Sequence, residues 1–170
     1  RHNRLGLINH SFLKIPGDLS TSYTDNEDND GLWTACFLAA ECFRYGVTKS
    51  DDAKAKAVST FEALERLETV TGIPGYPARS YALATDSVKQ SRSPHPKHWH
   101  PSPDGKWQWL DDTSSDEIVG HIFTIALFHD LVADEIYKKR SVSLIERILN
   151  NIVDNNFELI DFDGLPTRWG

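Results

Sequence analysis

The alternation of two kinds of helical segment restricts the fold of this chain more than any other feature. Residues 31–47 and 115–133 have helical length and are apolar almost all round, whereas residues 51–71 and 141–155 carry their apolar side chains on one stripe. A helix that is apolar on every side is typically buried, and a one-striped helix lies at the surface. The order predicts an all-α fold, an α/α toroid in which outer helices shield inner ones.

A four-helix bundle is the alternative all-α architecture. It requires four similar one-striped helices that are joined by short loops. The two all-apolar helices and the long loop over residues 73–112 argue against it. We therefore interpret residues 1–170 as a single domain of α/α helical hairpins that begins with an irregular segment over residues 1–29.

The loop over residues 73–112 is unusually long for a compact domain, and such loops are commonly functional or disordered. Asp104-Gly105 is a typical hairpin turn, and the alternating Trp107-Gln108-Trp109 follows it closely. This pattern predicts a short β-hairpin inside the loop.

The charge balance is acidic, with 25 Asp and Glu against 18 Lys and Arg and a net charge of −7. Nucleic acid binding depends largely on neutralising phosphates, so a nucleic acid partner is not expected. The longest apolar run, residues 118–131, is interrupted by polar residues such as His121 and Asp130, so no membrane span is expected either.

The chain begins at Arg1 and contains no Met, which we interpret as a processed or partial chain and a fragment of a longer protein. The toroid would then be incomplete, and either the rest of the chain or self-association would complete it. The sequon Asn9-His10-Ser11 favours a secreted or periplasmic location. Cys36 and Cys42 lie too far apart on one predicted helix to form a disulfide.

Three separate segments combine at least two acidic residues with a tryptophan in or beside them. They are residues 28–34, 111–117 and 161–169. In the toroid interpretation all three lie at the same end of the ring. Grouped carboxyl groups can differ in pKa, which lets one site supply both an acid and a base. Aromatic faces beside them suit sugar rings, so the pattern predicts an acidic, tryptophan-lined cleft for carbohydrate.

Five motifs in the same order resemble those of a family of bacterial and environmental proteins. The motifs are Arg1-His2-x-Arg4-x-Gly6-Leu7, Pro16-Gly17-Asp18-Leu19-Ser20, Asp28-Asn29-Asp30-Gly31-Leu32-Trp33-Thr34, Asp112-Thr113-Ser114-Ser115-Asp116-Glu117-x-x-Gly120-His121 and Asp163-Gly164-x-Pro166-Thr167-Arg168-Trp169-Gly170. The resemblance spans nearly the whole chain except about residues 82–106. It implies a six-hairpin, glycosidase-like α/α toroid but no particular reaction, so the roles below rest on chemistry.

Four aspartates are the candidate catalytic acids and bases: Asp112, Asp116, Asp28 and Asp163. Asp112 has no capping role in the predicted helix register and is the preferred acid or base. Ser114-x-x-Glu117 forms a capping box, which would give both residues the role of starting a helix. Asp116 also gains from the helix dipole, although Gly120 one turn later leaves room for a ligand.

The candidate substrate-binding residues are aromatic or cationic side chains in or near the three segments. They are Trp33, Trp107, Trp109, Trp169, Arg79, Arg168, Tyr76 and His121. The two arginines could pair with the acids or hold an anionic sugar. His121 lies on a predicted buried helix, where a structural histidine is commoner than a catalytic one.

No cofactor is expected, and metal binding is limited to a weak alternative. The run from Asn26 to Gly31 matches the first half of an EF-hand loop, but Phe37 stands where the bidentate Glu belongs, so an EF-hand is rejected. A looser cation site near Asp28 and Asp30 remains open, with Asp30 as the predicted N-cap. His95, His98 and His100 are interpreted as solvated.

Two functions are compatible with these features. The first is a carbohydrate-active domain, which would be either a glycoside hydrolase with two of the four aspartates as acid and base or a polysaccharide lyase. The lyase would use His121 or Tyr76 as its base, with Arg79 neutralising a uronate. The second is a non-catalytic extracellular module for glycan binding or for structural assembly.

Overall fold

The computed structural model describes residues 2–88 and 98–170 and shows a mixed fold of four helices and three small antiparallel sheets. Of the described residues, 49% are helical and 17% lie in strands. The prediction of an all-α fold is therefore wrong, both as an α/α toroid and as a four-helix bundle. The strands lie in the N-terminal segment, which was predicted to be irregular, and in the long loop, where one short hairpin was predicted.

The helices are α1 (Asp30–Thr48), α2 (Asp51–Thr69), α3 (Ser115–Leu131) and α4 (Glu135–Asp154). The bounds of the first three agree with the predicted helices to within two residues. The fourth begins at Glu135 instead of residue 141, because the Asp134 carboxylate caps it by accepting hydrogen bonds from the backbone N–H groups of Ile136 and Tyr137, both at 3.0 Å.

The helices form two antiparallel hairpins whose first helices lie side by side. At one end Gly120 of α3 packs against Leu32 of α1, and at the other end Leu131 lies beside Gly46, so α1 and α3 run parallel. The ring of Phe61 on α2 stacks on that of Phe128 on α3, with 4.5 Å between centroids. These contacts form the centre of the hydrophobic core.

Helix α4 completes this side of the core through contacts with both α2 and α3. The Tyr137 ring packs edge-on against Phe61 and Phe128, with 5.9 Å between centroids in each case. Two ion pairs join α4 to α2: Arg140 with Glu65 at 2.5 Å and Arg147 with Glu68 at 2.7 Å. The ion pairs keep the same order along both helices, so α2 and α4 run parallel.

Two β-hairpins occupy the N-terminal segment that was predicted to be irregular. They pair β1 (Asn3–Arg4) with β2 (Leu7–Ile8) and β3 (His10–Leu13) with β4 (Ser22–Asp25). The turn of the first hairpin contains Gly6, with a φ of +96°, and a Cβ there would lie 2.9 Å from the Cβ of Ala63 on α2. Glycine therefore lets this turn pack closely against the helix.

A three-stranded antiparallel sheet occupies the long loop between α2 and α3. Its strands are β5 (Ser80–Leu83), β6 (Trp99–Pro101) and β7 (Trp107–Leu110), in the order β5-β7-β6. The β6–β7 pair confirms the hairpin predicted around Asp104-Gly105. Pairing of β5 with β7 brings Ser80 opposite Leu110 and so places the start of β5 beside the segment that leads into α3.

Neither all-apolar helix is buried on every side, which is a second correction to the predicted architecture. Their outer surfaces expose Trp33, Phe43, Val47, Val119 and Phe123. Val47 alone is 86% exposed. The inference from apolar composition to complete burial therefore does not hold for this pair. Within the described ranges, no helix is both long and apolar enough to cross a membrane.

Candidate functional site

The three acidic segments meet at the end of the molecule where α1 and α3 begin, and they border two cavities there. The first, which we call the Trp169 cavity, has a volume of about 460 Å³. It is lined by Asp28, Asn29, Arg79, Ser114, Ser115, Asp116 and Trp169. The second, the Phe162 cavity, has a volume of about 500 Å³. It is lined by His98, Asp111, Asp112, Asp161, Phe162, Asp163, Leu165, Pro166, Thr167 and Arg168.

A narrow ridge of two paired segments, residues 112–115 and 167–169, separates the cavities. Ser114 forms a parallel bridge with Trp169, and the Ser115 N–H donates to the Trp169 carbonyl at 3.1 Å. The Arg168 N–H donates to Asp112 Oδ1 at 2.9 Å. These bonds attach the C-terminal segment to the start of α3 and fix Trp169 beside that helix.

Arg79 lies beneath the Trp169 cavity and joins the segment of residues 28–34 to that of residues 111–117. It precedes β5, is 3% exposed, and its N–H donates to the carbonyl of Leu110 at the end of β7. Its side chain donates through Nε to the Asp112 carbonyl and through Nη1 to the Asp28 carbonyl, the latter at 3.0 Å. A fixed guanidinium therefore forms part of the cavity floor and holds two of its walls.

Asp28 and Asp116 are the candidate catalytic residues that line the Trp169 cavity. Asp116 lies exposed in the first turn of α3, where the unpaired N–H groups of the helix favour a negative charge, and it accepts a hydrogen bond from the Ser114 hydroxyl. Asp28 is half-buried in the segment before α1. The cavity thus places two acidic residues from different segments beside one guanidinium.

Asp112 and Asp163 instead line the Phe162 cavity and support its backbone. Asp112, the preferred acid or base from the sequence, has a φ of +58°, which Asp adopts more readily than most residues. Its N–H donates to Asp161 Oδ2 at 3.0 Å. The Asp163 carboxylate accepts from the Leu165 N–H at 2.9 Å and so closes a turn. Because the Asp112 carboxylate accepts from the Arg168 N–H, both carboxylates have structural hydrogen bonds.

Glu117 and Asp30 form a buried acidic pair behind the cavity wall. Both side chains are fully buried, and burial raises the pKa of Glu117 to about 8 and that of Asp30 to about 7. A Cβ at position 31 would overlap with Glu117 Oε2, so Gly31 is what gives this carboxyl group its place beside α1. The pair was not predicted, although Gly31 in the third motif was a signal for a close approach.

Ser114 is the N-cap of α3, as predicted, but the capping box is not formed. The Ser114 side chain makes no cap bond, and Glu117 is buried in the core. Asn29 and not Asp30 is the N-cap of α1. Asp30 Oδ2 accepts from the Ser80 hydroxyl at 2.6 Å and from the Glu27 N–H at 3.0 Å.

His121 and Tyr76, the two candidate lyase bases, are buried and line neither cavity. His121 Nδ1 lies 2.9 Å from the Glu117 carbonyl, and burial lowers the pKa of its imidazole. The Tyr76 hydroxyl donates to Asp161 Oδ1 at 2.8 Å and accepts from the Thr113 N–H at 3.2 Å. Burial, aided by repulsion from Asp161, raises the pKa of Tyr76 far above its usual range. Neither group is placed to remove a proton from a ligand.

Of the four tryptophans predicted to bind substrate, Trp169 lines the first cavity and the other three line neither. Trp169 is 52% exposed, and the Arg168 guanidinium lies 4.5 Å from the centroid of its ring. Trp109 is buried against Tyr76 and His100, whereas Trp107 packs beneath Arg66. Trp33 is exposed and stacks with His10. Of these four tryptophans, Trp169 is therefore the one that lines a cavity.

The sequence left open a cation site near Asp28 and Asp30. No group of three or more metal-ligating side chains with suitable geometry occurs in the described part of the chain. His98 Nδ1 and His100 Nε2 both approach Asp111 Oδ2, at 3.4 and 2.9 Å, and His95 lies outside the described residues. Asp111 thereby joins the β6 strand to the segment before α3.

Several cavity residues were not predicted individually, although they belong to the three predicted segments. Ser115 and Asn29 line the Trp169 cavity, and Phe162, Leu165 and Thr167 line the Phe162 cavity. The recurrence of acids and tryptophans identified the segments but gave no means of ranking their neighbours. Comparisons of the chain with models of protein families, with curated proteins and with solved structures gave no match, so its function is argued from the site alone.

Proposed function

We propose that the protein is a carbohydrate-active domain that binds a sugar ring of a glycan in the Trp169 cavity. The observation that carries this proposal is that Asp28, Asp116, Arg79 and Trp169, from distant parts of the chain, border one cavity of about 460 Å³. Such a volume is within the range of small-molecule sites. The indole face suits the CH groups of a sugar, and carboxylates and the hydroxyls of Ser114 and Ser115 suit its hydroxyl groups.

The charges of the cavity favour a neutral sugar over a uronic acid. Two acidic residues stand beside one guanidinium, and the guanidinium already donates to two backbone carbonyls. A uronate would add a further negative charge to this site, which is unfavourable at short range. The burial of His121 and Tyr76 removes the two groups that a lyase would use as its base. These points support hydrolase chemistry over lyase chemistry.

Glycoside hydrolysis would use Asp28 and Asp116 as the pair of carboxyl groups. One of them would protonate the oxygen of the leaving sugar, and the other would activate a water or attack the anomeric carbon. Arg79 would keep the two walls at a constant separation, which matters because the reaction outcome depends on the distance between the carboxyl groups. A polymeric glycan would also accord with the secreted or periplasmic location expected from the sequence.

The test is release of reducing ends from a panel of neutral and uronic acid polysaccharides. The variants are Asp28→Asn and Asp116→Asn, with Asp130→Asn near the far end of α3 as the matched control. We expect turnover of a neutral glycan that falls at least about 100-fold in both cavity variants and is unchanged in the control. Equal turnover by the wild type and both cavity variants would overturn the assignment of the acid and base.

Glycan binding without hydrolysis is the second candidate, and one observation favours it. The two carboxyl groups whose pKa values are raised toward 7 and 8, as a general acid requires, are Asp30 and Glu117, and both are enclosed behind the cavity wall. Titration calorimetry with the same glycans distinguishes the candidates. Binding that Trp169→Ala abolishes, without release of reducing ends, would identify a binding module.

A further inference from the structure

We infer that the Trp169 and Phe162 cavities are neighbouring subsites for one oligosaccharide, which lies across the ridge between them. The inference rests on the proposed function and specifies its ligand as a chain of several sugars instead of a single one. Two observations support it: the ridge that the two cavities share and the composition of the second cavity.

The ridge is thin enough for a single ligand to contact both sides. Arg168 lines the Phe162 cavity, and the next residue, Trp169, lines the Trp169 cavity. The same holds for the opposite strand of the ridge, where Asp112 borders one cavity and Ser114 the other. In both segments of the ridge, residues one or two positions apart thus line different cavities. Adjacent sugars of one oligosaccharide could therefore occupy both cavities.

The Phe162 cavity has apolar walls that are suited to sugar CH faces. Leu165 is 63% exposed, and Phe162 and Pro166 are exposed as well. The Phe162 ring is held from behind by His100, with 3.9 Å between ring centroids. An exposed aromatic ring that is supported on one side is preorganised for stacking on its other side, because little conformational freedom remains to be lost.

The experiment measures affinity against chain length by titration calorimetry. The probes are cello-, manno- and chito-oligosaccharides of one to six units, titrated into the wild type, Trp169→Ala, Phe162→Ala and Leu165→Ala. We expect the affinity of at least one series to rise ten-fold or more between one unit and three or four. Phe162→Ala and Leu165→Ala should reduce the affinity for the longer members several-fold and leave that for the shortest unchanged, whereas Trp169→Ala should weaken all of them.

The matched control is Phe157→Ala, which removes an exposed phenylalanine of the same C-terminal segment that lines neither cavity. Leu165 is exposed, so thermal unfolding of Leu165→Ala should show no loss of stability. Binding that Trp169→Ala abolishes but that is independent of chain length would overturn this inference and leave the proposed function standing. Absence of binding in every series would overturn both.

Discussion

At the scale of single residues, the contact between Gly31 and Glu117 explains the most about this site. It places a carboxyl group in the core directly beside α1, one residue along α3 from the exposed Asp116. Neighbouring positions on a helix point about 100° apart, so one can face the core and the next a cavity. Of these two neighbouring acids, Glu117 is therefore buried and Asp116 lines the Trp169 cavity.

Gly31→Ala should destabilise the protein, because the new Cβ would overlap with the buried carboxyl group of Glu117. We expect a loss of about 1 to 3 kcal/mol in the free energy of unfolding, measured with urea. Gly46→Ala in the same helix is the control, since its Cβ would lie 3.8 Å from the nearest atom and alanine favours the helix. Equal stability of the two variants would contradict the contact.

Glu117 should also make stability depend on pH. Its folded-state pKa of about 8 lies above the ordinary value of 4.5, so the folded protein binds a proton more tightly than the unfolded chain. The contribution of Glu117 to the free energy of unfolding is then fully present below about pH 4.5 and is lost as the pH rises toward 8. The raised pKa of Asp30 acts in the same direction.

Urea unfolding at several pH values between 5 and 8.5 measures this effect. Glu117→Gln removes the titrating group and should flatten the decline, which for the wild type is on the order of a few kcal/mol. Glu146→Gln, on the surface of α4, should leave the decline unchanged. The same pH dependence in the wild type and in Glu117→Gln would show that Glu117 does not titrate over this range in the folded protein.

At the scale of elements, the strand pairing β5–β7 matters most for the site. It places Arg79 where its side chain reaches the segment before α1 and the segment before α3 at once. Neither helix hairpin could bring these segments together in this way. The small sheet thus acts as the connection between the two walls of the Trp169 cavity.

Replacing Arg79 with Met should loosen both walls, because two buried carbonyl groups lose their donors. We expect a loss of roughly 2 to 4 kcal/mol in the free energy of unfolding. Hydrogen exchange should accelerate over residues 28–31 and 112–117. Arg66→Met is the control, since Arg66 lies over the Trp107 ring on another surface of the sheet. Unchanged exchange in Arg79→Met would refute the connecting role.

At the scale of the whole molecule, the α1–α3 pair exposes large apolar side chains on its outer surface. Trp33, Phe43 and Val47 follow helical spacing on α1, and Val119 and Phe123 do so on α3. The five exposed side chains amount to roughly 500 Å², so two facing copies would bury about 1,000 Å². This area is near the lower limit for a specific interface, and we propose that a second copy of the chain covers it weakly.

Sedimentation velocity over a range of protein concentrations tests this self-association. We expect a monomer–dimer equilibrium in the wild type and a monomer in the variant that combines Phe43→Glu with Phe123→Glu. Val153→Glu, at an exposed position on α4, is the control and should still dimerise. A wild-type chain that stays monomeric at every concentration would rule out the proposed contact.

The sequence by itself determined the four helices and the three acidic segments that meet at one end. Helical periodicity and turn residues act over a few neighbouring positions, which is why the bounds of α1, α2 and α3 were close. All of the candidate site residues were expected at one end of the molecule. The structure brings Asp28, Arg79, Asp116 and Trp169 together around one cavity, whereas Asp112 and Asp163 line the other, and His121 and Trp109 line neither.

Only the tertiary structure decided which of these groups faces a cavity and how the strands pair into sheets. Strands of two to four residues carry little periodic signal, and the pairing of Ser80 with Leu110 depends on contacts far apart in the chain. Apolar composition likewise could not show that α1 and α3 would leave one side exposed. Glu117 and Asp116 are chemically similar neighbours, and only the packing of α3 on Gly31 buries the first and exposes the second.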